Sequence, residues 1–204
     1  LEFRRVLFRS EDVDFDGEYV TELATGKQIS RSQIGNNVMC FSNAPLSASE
    51  AFSSPVSPPP FMVGMAEVEI DKETGVLELI DYVAVVDCGT VINPNLARVQ
   101  VEGGIAQGIG MALYEDVVYN KKGKNFSNSL MQYKIPTRLD VGTIRVEFES
   151  SYEPTGPFGA KSIGEIVINT PSPAISNAIQ NATGVIIREL PMTAEKIYRG
   201  ISGR

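Results

Sequence analysis

Apolar and polar positions alternate along Phe61–Ile70, with Met65, Glu67 and Glu69 set against Ala66, Val68 and Ile70, which predicts a β-strand. Asp71, Lys72, Glu73, Thr74 and Gly75 follow as a turn, with glycine where a left-handed conformation is needed. Residues 76–86 are rich in β-branched side chains and grow more apolar toward their end, so the two runs predict an antiparallel hairpin. Asn93 followed by Pro94 has the form of a helix cap and first helical residue. The helix is predicted to run to about Leu113, with Leu96, Val99, Gly103, Ala106, Ile109, Gly110 and Leu113 at three- and four-residue spacing. It also carries Gly103, Gly104, Gly108 and Gly110. Each glycine is unfavourable in a helix interior by up to about 1 kcal/mol, so four together imply close approach by another backbone or a ligand.

Further along, residues 114–119 read as a strand, 120–124 as a turn and 125–140 as irregular chain broken by Pro136. Residues 143–150 alternate Ile144, Val146 and Phe148 against Arg145, Glu147 and Glu149, a half-buried strand. Residues 163–182 are helical in pattern, interrupted at Pro171 and Pro173; 185–189 read as a short strand. Pro191, Met192 and Thr193 lead into a last helix, Ala194–Ile201. Upstream, residues 11–51 are polar and weakly patterned, with a short helix or turn within 26–37, and the prolines of 53–60 make an extended lead-in. The pattern predicts an α+β fold, with mixed or antiparallel sheet hairpins packed with helices. The expected division is a non-native leader at 1–10, a truncated lead-in at 11–57 and one domain at 58–204.

Composition narrows the function. With 43% hydrophobic and 21% charged residues the chain is ordinary globular protein. A net charge of −7 and no basic run disfavour nucleic acid and anionic membrane as partners. Lys121, Lys122 and Lys124 read as a hairpin tip. There is no histidine, which excludes Ser-His-Asp and Cys-His catalysis and any His-ligated metal within this chain. Cys40 and Cys88 are far apart, form no zinc pattern and fit a reducing compartment, the cytoplasm. No apolar run is long enough to span a bilayer. The first ten residues lack an initiator Met and are basic in an acidic chain; they resemble a translated adapter, which would make the chain the C-terminal part of a longer protein.

The densest candidate chemistry lies at 156–165, where Gly156, Pro157, Gly159, Lys161, Ser162 and Gly164 lead into Glu165. A carboxylate flanked by Ile163 and Ile166 is a candidate general base if desolvated. An acid in the first turn of a helix, placed there by the helix dipole, is the structural alternative. Two phosphate motifs fail: the first glycine of a P-loop would fall at Pro154, and the glycines at 104, 108 and 110 have the wrong spacing for a dinucleotide fingerprint.

Five segments occur in register: Val-Asp-Cys-Gly-Thr-Val-Ile-Asn-Pro from Val86, Val-Glu-Gly-Gly-Ile-Ala-Gln-Gly-Ile-Gly from Val101, Tyr-Lys-Ile-Pro-Thr from Tyr133, Gly-Ala-Lys-Ser-Ile-Gly-Glu from Gly159, and Arg-Glu-Leu-Pro-Met-Thr from Arg188. Together they resemble the C-terminal part of the molybdenum-binding large subunit of the xanthine dehydrogenase/aldehyde oxidase family, the molybdenum hydroxylases. The resemblance runs from about Pro58 to the C-terminus.

The resemblance implies the fold of that subunit's C-terminal molybdopterin-binding domain. It implies a molybdenum-dependent oxidoreductase that hydroxylates a purine or similar N-heterocycle with water as the oxygen source, in purine catabolism. Molybdenum would be held by the pterin dithiolene and by no protein ligand, with the pterin alone or as its cytosine dinucleotide. Glu165 falls on the catalytic glutamate, the general base toward a molybdenum-bound hydroxyl. Gln107 falls on a glutamine beside the molybdenum–pterin, where an amide can both donate and accept. Lys161, Ser162 and Gly164 would line the same pocket, while Asp87, Cys88 and Asn93 are structural. The implied partners are the N-terminal part of the molybdenum subunit, iron–sulfur and flavin (FAD) modules carrying those cofactors, and a small-molecule substrate. The chain alone would be inactive. A related aldehyde or other heterocycle oxidoreductase is the nearest alternative, and an inert structural or interaction subunit is one of another class.

Overall fold

A computed structural model describes residues 12–41, 51, 53–54 and 56–203. The ten-residue leader lies outside the described residues, as does part of the lead-in. The chain forms two compact units, Leu1–Ser53 and Ser54–Arg204.

In the first unit β1 (Val13–Phe15), β2 (Tyr19–Glu22) and β3 (Gln28–Ser30) form an antiparallel sheet in that order, followed by α1 (Arg31–Phe41). The sequence pattern missed these strands. Three or four residues are too few to show a period, and most of their side chains are exposed or half-buried.

The second unit is α+β. Strands β4 (Phe61–Ile70) and β5 (Leu77–Asp87) form the expected hairpin, registered from Phe61 opposite Asp87 to Ile70 opposite Leu77, with an irregularity between Glu67 and Val68. Its turn closes as the sequence predicts. Gly75 is left-handed at φ 75° and its N–H donates to the Asp71 carbonyl at 2.7 Å. The Asp71 carboxylate accepts from the Glu73 N–H at 2.9 Å and the Thr74 hydroxyl at 2.7 Å. Strand β6 (Thr143–Phe148) adds to β5 in parallel, so the sheet is mixed, in the order β4-β5-β6. Tyr82, Ala84 and Val86 on one face of β5 are fully buried.

That face is covered by α2 (Pro94–Leu113), α3 (Ile166–Asn169), α4 (Pro171–Thr183) and α5 (Ala194–Ile201). Helix α2 has the bounds and cap read from sequence: Asn93 Oδ1 accepts from the Leu96 N–H at 3.1 Å and Pro94 opens the helix. Its buried face is Val101, Gly104, Ile105, Gly108, Ile109 and Ala112. Leu96 and Val99, placed by the spacing on the core stripe, are instead 67% and 66% exposed. The helix is apolar on two sides, so spacing alone could not select the face that packs.

Three other local readings differ. Residues 114–119 form no strand, only a bridge from Tyr119 to Asn125: the Phe126 N–H donates to the Val118 carbonyl at 2.8 Å, but the Val118 N–H goes to the Ser127 hydroxyl at 3.0 Å, which donates in turn to the Asp116 carbonyl at 2.8 Å. Residues 185–189 form no strand; Val185 packs under Gly200, while the Lys196 ammonium reaches the Glu189, Leu190 and Pro191 carbonyls. The break in the 163–182 helix falls at Thr170, and Pro171 starts α4, where its missing N–H costs nothing. Among the described residues no helix is long and apolar enough to cross a membrane.

Candidate functional site

The site is built where α2 passes the glycine-rich turn. Two of the four α2 glycines are there for packing. A Cβ on Gly104 would overlap Val167 of α3, and one on Gly108 would stand 2.6 Å from Pro171 Cγ of α4. The third, Gly110, would meet the Glu115 carboxylate and Pro136. Gly103 is different. It is exposed, with no atom within 4 Å of where a Cβ would be.

Gly103 lines a cleft of about 490 Å³ with Val99, Gln100, Gln107, Gly164 and Glu165. The structure therefore brings together Gln107, Gly164 and Glu165, three of the five residues singled out from sequence. Gln100, which sequence reasoning missed, donates from Nε2 to the Gly164 carbonyl at 3.3 Å and ties the turn to α2. Val99 and Gly103 were missed as site residues too, although 99, 103 and 107 follow one another at four-residue spacing, a usable signal once the outer face is known.

Glu165 stands at the N-cap position of the four-residue helix α3 without a side-chain capping bond, and it is exposed. The desolvation expected for it is not supplied by this chain. Its flanking residues Ile163 and Ile166 do pack against the core, so the backbone at Glu165 is anchored on both sides.

Lys161 and Ser162 lie elsewhere. Lys161 lines a neighbouring depression of about 420 Å³ with Cys88, Thr90, Leu96, Ile163 and others, and Gln100 and Gly164 border both hollows. Its side chain is only 11% exposed, and its ammonium pairs with Asp87 Oδ2 at 2.7 Å while standing 5.4 Å from the centre of the Phe61 ring. Ser162 is exposed and lines neither hollow.

Asp87, expected to be structural, is a hub. Its Oδ1 accepts from the Ser151 hydroxyl at 2.5 Å and the Gly89 N–H at 3.0 Å. The Lys161 ammonium, with these two donors, holds the Asp87 carboxyl down at about 2. Burial pushes the neighbouring Cys88 thiol up, and the Asp87 charge adds to it. Nothing local announces the Asp87–Lys161 pair, because its members are 74 residues apart.

The polar groups facing the cleft are amides, backbone and one carboxylate. Among the described residues no group of three His, Cys, Asp or Glu side chains is placed to hold a metal ion. Bare glycine surface at Gly103 and Gly164, with no atom within 4 Å of a Cβ at either, admits a flat ligand close to the backbone, and Gln107 can donate and accept at its edge. This donor set fits an organic cofactor that brings its own metal.

The family model described as the molybdopterin cofactor-binding domain matches residues 3–142. The match begins within the ten residues read as a leader and stops before the 156–165 turn. The xanthine dehydrogenase molybdenum-binding subunit of Escherichia coli O157:H7 is 35% identical over 154 residues, 75% of this chain and 20% of that subunit. The aldehyde oxidoreductase of Megalodesulfovibrio gigas is 37% identical over 141 residues, 68% of this chain and 15% of that one. The crystal structure of quinoline 2-oxidoreductase from Pseudomonas putida 86 is similar at a TM-score of 0.79 and 31% identity, covering 96% of this chain and 26% of that one. The chain spans 15% to 20% of the length of the curated relatives it matches.

Proposed function

We propose that this chain, which belongs to the molybdopterin cofactor-binding domain family, forms the wall of a molybdenum hydroxylase active site that carries the general base. The observation that carries this reading is the joint placement of Gln107, Gly164 and Glu165 on one cleft with open glycine surface at Gly103. When bound, the molybdenum–pterin group supplies an electrophilic metal that acidifies water and accepts two electrons. Gln107 fixes the cofactor edge through its amide. Gly103 and Gly164 let the ligand approach the backbone. The Glu165 carboxylate takes up the proton from the water-derived oxygen that attacks the substrate carbon.

The substrate is a purine or a similar N-heterocycle. The likeness to a xanthine dehydrogenase subunit and to a quinoline oxidoreductase supports this. An aldehyde is the second reading, supported by the 37% identity to an aldehyde oxidoreductase. Iron–sulfur and flavin modules complete the electron path, the cofactor is the pterin or its cytosine dinucleotide, and the enzyme works in the cytoplasm. The decisive experiment is Glu165→Gln in the enzyme that contains this chain. The expected result is a fall in kcat of about 10²–10⁴-fold with molybdenum content unchanged. A loss of only a few-fold would remove Glu165 from the role of base.

A further inference from the structure

We infer that the Asp87–Lys161 ion pair is a positioning device for Glu165, and that Lys161 acts through the backbone of the turn and not by touching the cofactor. The catalytic part of this inference rests on the reading of Glu165 as the base. The geometric part does not.

Lys161 lies four residues before Glu165, and both its ends are engaged. Its ammonium is on Asp87 Oδ2 at 2.7 Å, under the Phe61 ring. Its backbone N–H donates to the Cys88 carbonyl at 2.7 Å. The residues on either side are held in the same manner. Gly89 bridges to Ala160, and the Thr90 N–H donates to the Gly159 carbonyl at 2.8 Å. A Cβ on Gly89 would overlap that carbonyl, so the two backbones are in direct contact. Asp87 is itself the last residue of β5, and its remaining oxygen is taken by Ser151 and Gly89. The segment 159–161 is therefore fastened to the end of the central strand. From there the chain has three residues, 162–164, before the base, and Gln100 holds the last of them.

A lysine that contacted the cofactor would need a free ammonium. This one is 11% exposed and already paired, with the Glu153 carboxylate also near enough to feel its charge. Its place in the neighbouring depression, beyond the Gln100–Gly164 contact, agrees with a support role. Without the pair only the backbone contacts hold the end of the turn nearest Glu165, and a misplacement of about 1 Å in a catalytic group lowers a rate on the order of 10²-fold.

The test has two arms. In the 204-residue chain, Lys161→Met is expected to speed amide hydrogen exchange at residues 164–167 by about tenfold or more, with the buried face of α2 unchanged. In the enzyme containing the chain, Lys161→Met and Asp87→Asn are expected to lower kcat by about 10- to 100-fold with KM and molybdenum content held, and Lys161→Arg is expected to restore most of the rate. If a single variant does not fold, the neutral pair Asp87→Asn with Lys161→Met carries both readouts. Unchanged exchange at 164–167, or a loss of molybdenum or a rise in KM in place of the kcat effect, overturns the inference. If exchange responds but Glu165→Gln keeps its rate, the base assignment falls while the fastening of the turn stands.

Discussion

Gly104 of α2 and Val167 of α3 meet with no space for a methyl group between them. Gly104→Ala is therefore expected to destabilise the protein by about 1–2 kcal/mol. The overlap with Val167 costs about 1–3 kcal/mol, and the better helix propensity of alanine recovers up to about 1. Gly103→Ala, one residue earlier, meets nothing within 4 Å and is expected to stabilise by up to about 1 kcal/mol while crowding the cleft. Urea denaturation of both variants checks the opposite signs.

Tyr82 is fully buried, and its hydroxyl donates to Thr170 Oγ1 at 2.8 Å. Burial pushes the phenol up, so this contact is made by the neutral group. Tyr82→Phe is expected to lose about 1 kcal/mol, since Thr170 keeps its place without its partner. Gly64→Ala should cost more, because its Cβ would overlap the same hydroxyl and stand 2.9 Å from Thr170. Thermal unfolding in the order wild type, Tyr82→Phe, Gly64→Ala is the outcome that agrees.

The Asp87 carboxyl is held at about 2, below its ordinary 3.8, first by Lys161 and then by Ser151 and Gly89. A depressed folded value means that the stabilisation is present above the unfolded value and is lost as pH falls from 3.8 through 2. Its size is about 2 kcal/mol. The stability gap between wild type and Asp87→Asn should therefore be flat above about pH 5 and close toward pH 2. A gap that does not narrow would mean that folding does not favour the ionised form of Asp87 over the protonated one.

Purified alone, the 204-residue chain is expected to hold no stoichiometric molybdenum. It offers Gln107 and Glu165 from one exposed wall, and a cofactor of this kind is retained by a pocket that surrounds most of it. Elemental analysis decides the matter: one molybdenum per chain would show that this wall is enough.

Much of the second unit was legible because its elements announce themselves locally. The hairpin shows a period of two, Asn93-Pro94 caps α2, and Thr193 starts α5 by accepting from the Lys196 N–H at 3.4 Å. Legibility failed where the deciding partner is distant or a side chain. The Ser127 hydroxyl takes the Val118 N–H that a continued ladder would have used, and α2 buries Val101 and Ile105 while leaving Leu96 and Val99 outside. Gln107, Gly164 and Glu165 were singled out through their motifs, and they share a cleft. The true engagement of Lys161 was hidden because its partner lies across 74 residues of chain.

The parallel pairing of β6 with β5 sets an expected order of assembly. The β4–β5 hairpin closes over a short turn, but Asp81 and Thr143, first partners in the parallel ladder, are separated by the whole of α2 and the irregular chain after it. Long-range pairing of this kind comes after local structure, because the loop-closure entropy must be met before the contacts reward it. Strand β6 also carries the chain toward Ser151 and Lys161, the two side chains that clasp Asp87. A nascent chain that has made the hairpin and α2 thus displays half a cleft, with Asp87 unpaired at its edge. The turn bearing Glu165 is therefore expected to become fixed only when the parallel ladder has formed, which places the cleft among the last features to mature.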